Sequence, residues 1–138
     1  MQLQFQVTGF VFMLLAIFHF WFPKRFEWKK ECENMSLLNR QMMYVHTFFL
    51  ALTVFLMGVL CLTCADELVG NPLGRKVTLG FGIFWLARLY VQFFVYSPDL
   101  WKGKKFETRI HILFSLLWMY FSFLFLYASI IREIMVVK

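Results

Sequence analysis

Four predominantly apolar runs, at residues 5–22, 42–64, 77–96 and 110–131, limit what this chain can become. Each has about the 20 residues that cross a hydrocarbon core of roughly 30 Å at 1.5 Å per residue. Backbone groups in lipid must bond within the chain, so such runs are helices. Barrel strands would alternate polar and apolar residues, and these runs do not. The expected fold is all-α: an integral membrane four-helix bundle, forming one domain over residues 1–138. Composition agrees, with 61% hydrophobic and only 16% charged residues, against about 25% charged in a soluble domain. The first run has no basic flank before it and no small-residue cleavage site, so it is expected to stay as a helix.

Basic residues give the bundle an expected orientation. Loop 23–41 carries Lys24, Arg25, Lys29, Lys30 and Arg40, and loop 97–109 carries Lys102, Lys104, Lys105 and Arg109. Against these nine stand four: Arg75, Lys76, Arg132 and Lys138. The positive-inside rule then places both termini outside, in a cytoplasmic-type membrane. The net charge of +6 would sit against anionic headgroups, making the lipid bilayer the first expected partner. These basic loops are short and flank apolar spans, which argues against nucleic acid.

Loop chemistry supplies the expected boundaries. Pro23 should end the first helix, Ser36 should cap the second, and residues 70–74 read as a turn. Ser97-Pro98 should stop the third helix, while residues 26–31 mix aromatic and charged residues as a short interfacial helix would. Trp101 and Phe106 read as interface anchors.

Arg88 lies near the middle of the third run, and no acidic residue lies inside any of the four. A charge at that depth costs roughly 2.5–3.5 kcal/mol on insertion scales and normally faces a protein interior or a site. Gln92 follows it at i+4. His19, His46 and His111 lie near the same ends of the other helices, so each helix adds a polar group to one half of the membrane. Helical spacing puts Thr78, Gly82, Trp85, Leu89, Gln92 and Tyr96 on one stripe, with Arg88 at its margin. His111, Ser115, Ser122 and Ser129 align on the fourth helix. On the second, His46 aligns with Asn39, Thr53 and Met57, while Thr47, Ala51 and Gly58 make another narrow face. The faces holding His46 and His111 are expected to be buried in protein. Glu107, on the same side of the membrane, is the candidate counter-ion for Arg88.

These residues suggest a pocket with Arg88 and Gln92 gripping an oxygen-rich head. His46, His19 and His111 would complete its polar wall, with Trp85 and Tyr96 packing the apolar part. The expected ligand is an anionic or oxygen-rich amphiphile, a lipid headgroup or a quinone-like molecule. One alternative is a haem- or metal-binding redox protein, or a small membrane enzyme, using His19 and His46. Another is a structural subunit of a homo- or hetero-oligomer, with Arg88 paired to an acid on a partner helix. Cys61 and Cys64 form a C-x-x-C near a helix C-terminus, where the dipole opposes thiolate, so packing is their expected role.

The segment Trp85-Leu86-Ala87-Arg88-Leu89-Tyr90, with Tyr96 beyond it, resembles the arginine–aromatic segment of the membrane-associated eicosanoid and glutathione protein family. That resemblance implies four helices, both termini outside and a glutathione-type ligand. The family's second helix follows a basic residue with an Asn and a Glu. Here Arg40 is followed by Tyr44 and Thr47, so the family's carboxylate is missing.

Overall fold

A computed structural model describes residues 1–136, with side chains through Ile130; the side chain of Arg132, and Lys138, lie outside the described residues. The elements are α1 (Gln2–Arg25), α2 (Trp28–Glu31), α3 (Leu37–Thr63), α4 (Ala65–Gly70), α5 (Pro72–Phe94), a 3-10 turn at Pro98–Leu100, and α6 (Lys105–Val136). Among the described residues there is no strand. Four helices, α1, α3, α5 and α6, are long and apolar enough to cross a membrane. Only 22–33% of each apolar span is buried. Most of their apolar surface therefore faces outward, the reverse of a water-soluble helix. The chain divides into two compact units, Met1–Ala65 and one beginning at Asp66. Each is built on a pair of long helices.

In the first unit α1 packs on α3. Phe5, Thr8, Gly9, Phe12, Leu15 and Ala16 form the buried stripe of α1, at the three- and four-residue steps that keep side chains on one face. Ala51, Val54, Met57, Gly58 and Cys61 are the buried residues of α3. The narrow face with Ala51 and Gly58 is thus the packing face, because small residues let two backbones approach. His46 and Thr53 are exposed on α3, which corrects the expectation of a protein-buried His46 face.

The helices overrun their apolar stretches. Ser36 caps α3 by accepting from the Asn39 N–H at 3.3 Å, which starts the helix at Leu37 and takes in Asn39, Arg40 and Gln41 before the apolar run. Pro23 does not end α1, which continues to Arg25 with Phe26 N–H bonded to the Phe22 carbonyl at 2.9 Å. Proline in the last turn removes only its own bond, onto the His19 carbonyl, and the turn tolerates that loss. The interfacial segment contracts to the four-residue α2.

The second unit starts with a tight corner. Residues 70–74 are not all turn: Asn71 accepts from the Gly74 N–H at 2.6 Å and Pro72 opens α5. Proline at that position suits a helix start. Thr78 Oγ1 donates to the Leu68 carbonyl at 3.0 Å, tying α5 to α4. A Cβ on Gly74 would collide with the Glu67 carbonyl and approach Leu68 Cα to 2.7 Å. Gly74→Ala is therefore expected to destabilise the protein by about 1–3 kcal/mol, the usual cost of overpacking, read as a lower midpoint of thermal unfolding in detergent.

Beyond that corner α5 packs on α6. Thr78, Gly82, Trp85 and Gln92 are buried on α5; Ser115, Trp118, Phe121, Ser122, Leu124, Phe125, Ala128 and Ser129 are buried on α6. Gly82 makes room for Leu126, whose Cδ2 would be 2.7 Å from an added Cβ. The three serines donate to their own helix, at the His111, Trp118 and Leu126 carbonyls. They are small packing residues with their protons already used.

Candidate functional site

In the second unit, Arg88, Gln92 and His111 come together where α5 and α6 meet. Arg88 Nη1 donates to Gln92 Oε1 at 3.1 Å, and Gln92 Nε2 lies 2.6 Å from His111 Nδ1 on α6. A guanidinium only donates, so the amide oxygen of Gln92 must face Arg88. Its nitrogen then donates to His111, whose Nδ1 accepts. In the neutral ring the proton is therefore on Nε2. One buried amide orients both neighbours.

Aromatic rings complete the surroundings. Trp101 stacks on His111 at 3.8 Å and 9°, and Phe93 meets it edge-on at 6.1 Å. Thr108 Oγ1 holds the Trp101 loop, sharing its proton between the Trp101 and Lys104 carbonyls, both at 2.8 Å. The Arg88 guanidinium carbon lies 5.4 Å from the Tyr96 ring centre and 5.2 Å from that of Trp118. Trp118 in turn stacks on the buried Trp85 at 4.8 Å. Each cation–π contact contributes about 0.5–2 kcal/mol, depending on desolvation. Trp118 is 6% exposed and its Nε1 has no hydrogen-bond partner among the described residues.

Among the described residues Arg88 pairs with no carboxylate; its polar partner is Gln92. Glu107 is exposed and does not serve as its counter-ion. The reason is register. Glu107 lies one turn before the Gln92–His111 bridge along α6, whereas Arg88 lies one turn beyond that bridge, an axial separation of about 11 Å.

Of the sequence candidates, Arg88, Gln92, His111, Trp85 and Tyr96 come together in this unit. His19 and His46 belong to the first unit. His19 Nδ1 bonds the Leu15 carbonyl at 2.7 Å, and His46 is exposed. Among the described residues no three His, Cys, Asp or Glu side chains are grouped to hold a metal. Cys61 is buried and Cys64 half-buried, and both are free; Cys61 packs where Gly9 of α1 comes close.

Sequence reasoning missed two members. Trp118 follows His111 by seven residues, between Ser115 and Ser122, so the α6 stripe could have included it. Trp101 read as an interface anchor, yet it is half-buried on His111. Only the fold of the loop brings it there.

Among the described residues the protein is thus all-helical, with four helices of membrane-crossing length and an arginine set among aromatic rings with no carboxylate paired to it. No protein-family model, curated protein or solved structure matches it.

Proposed function

We propose that this chain is a multi-pass protein of a cytoplasmic-type membrane, with both termini outside. Its Arg88–Gln92–His111 site binds the anionic or oxygen-rich head of an amphiphile, a lipid headgroup or quinone-like molecule, reached from the cytoplasmic leaflet. The observation that carries this reading is Arg88 itself. It lies in an apolar span, pairs with no acid among the described residues, donates one N–H to a neutral amide and holds its charge over two rings. The other N–H groups of a guanidinium then call for acceptors, and an anion satisfies charge and hydrogen bonding together. His111 adds an Nε2–H donor nearby. Both groups donate, so a ligand with several acceptor oxygens suits them.

Arg88→Gln is the direct test, because it keeps hydrogen bonding while removing the charge. Mass spectrometry of lipids and quinones retained by the purified protein is expected to show one acceptor-rich species lost. An unchanged complement of bound amphiphiles would sink the reading.

A further inference from the structure

A groove of about 210 Å³ lies between the C-terminal half of α1 and the N-terminal half of α3, lined by His19, Phe20, Pro23, Tyr44, Thr47 and Phe48 among others. Most of its polar groups share one property: their protons are already used. The carbonyl of Leu15 can only accept, so the His19 Nδ1 at 2.7 Å carries the proton. The neutral ring therefore keeps a bare lone pair on Nε2. Thr47 Oγ1 spends its proton on the Met43 carbonyl at 2.9 Å and retains only lone pairs. Pro23 sits four residues after His19 and has no N–H, so the His19 carbonyl lacks its helical donor. Tyr44 adds a phenol that donates as well as accepts, its ring braced edge-on by Trp28 at 5.5 Å.

We infer that this groove binds the head of an amphiphile bearing a free hydroxyl. The acceptors of His19 and Thr47, at the edge of an apolar span, are costly to leave unpaired, and a hydroxyl gives them a proton while its own oxygen accepts from Tyr44. An ether, ester or carbonyl head accepts from Tyr44 but has no proton to give the other two. A primary ammonium would donate, but loop 23–41 carries five basic residues against Glu27, Glu31 and Glu33 and disfavours a cation. Size narrows the ligand further. The groove is smaller than the roughly 300–1,000 Å³ of pockets that enclose a whole small molecule. It takes the head alone, and the chain runs outward beside Phe20 and Phe48, which are both exposed. The site lies wholly in the first unit and does not depend on Arg88.

The test uses the full chain in phosphatidylcholine vesicles with a photoreactive diazirine derivative of hexadecanol and the matching methyl ether. The alcohol is expected to label peptides around His19 and residues 44–48, and the ether about fivefold less, the worth of one net hydrogen bond. Thr47→Val removes one acceptor at constant shape. Pro23→Ala returns a donor to the His19 carbonyl. Each is expected to lower alcohol labelling with helix content unchanged by circular dichroism. Equal labelling by alcohol and ether, or wild-type labelling in both variants, would overturn the proposal. Labelling in Arg88→Gln separates this site from the other: it stays at wild type whether or not that variant loses its amphiphile.

Discussion

Replacing Gly58 by leucine is expected to part α1 from α3 and to cost the first unit its fold. A Cβ on Gly58 would stand 2.8 Å from the Gly9 carbonyl, and a Cβ on Gly9 would stand 2.7 Å from the Gly58 carbonyl. Both obstacles are backbone, so no side-chain rotation relieves them. In lipid, helix association depends on such close packing, because the surrounding chains are as apolar as the helices. Gly58→Ala alone should cost about 1–3 kcal/mol as overpacking, and leucine more. Gly80→Ala supplies the contrast. Nothing lies within 4 Å of a Cβ at Gly80, so alanine there should stabilise by up to about 1 kcal/mol through helix propensity. Thermal unfolding in detergent, with proteolysis of the 26–36 loop as a second readout, distinguishes them. A Gly58→Leu protein as stable as wild type would mean that α1 and α3 do not pack through these glycines.

Gln92→Glu is expected to keep the protein folded and empty its ligand site. The substitution places a carboxylate 3.1 Å from Arg88, where the amide oxygen now sits, and so supplies a counter-ion that the described residues do not. An anionic head would then meet a neutralised arginine and a second negative charge. Its retention should fall about tenfold or more, equivalent to roughly 1.4 kcal/mol. The same change reverses the bond to His111. A carboxylate only accepts, so His111 must donate from Nδ1, and nitrogen NMR of the imidazole should report the proton moving from Nε2. Full amphiphile retention alongside the altered imidazole would show that Arg88 is not the anchor. Loss of retention by Arg88→Gln and Gln92→Glu alike, with both proteins folded, is the pattern a ligand-binding arginine gives and a purely structural one does not.

Much of the fold was legible because lipid leaves a chain few options. Run length and hydropathy specify where helices form, and a capping serine marks where α3 begins. Boundaries were less legible. Pro23 was expected to stop α1, but its cost is a single bond, which the last turn tolerates. The 70–74 cluster looked like a turn, yet Asn71 and Pro72 are also good helix-start residues, and capping decided for the helix.

The candidate site divides in the same way. The i,i+4 spacing of Arg88 and Gln92 and the stripe holding Trp85 can be counted along a sequence. So can the absence of acid from the apolar runs. Which face of α3 packs cannot be counted, because two narrow faces compete there. The close approach of Gly9 and Gly58 chose the face with Ala51 and left His46 outside. Glu107 failed as a counter-ion for a related reason: its distance from Arg88 depends on which residues of α5 and α6 oppose one another.

By itself, the sequence determined four membrane-length helices and one arginine without an acid in its span, because both follow from residue types and their spacing along one helix. Only the tertiary structure decided that Gln92 bridges Arg88 to His111, that Trp101 covers the imidazole, and that His19 faces a separate groove. Those facts depend on the register between helices and on loop paths. Register is set by the close contacts of small residues such as Gly9, Gly58 and Gly82, whose partners lie far away along the chain.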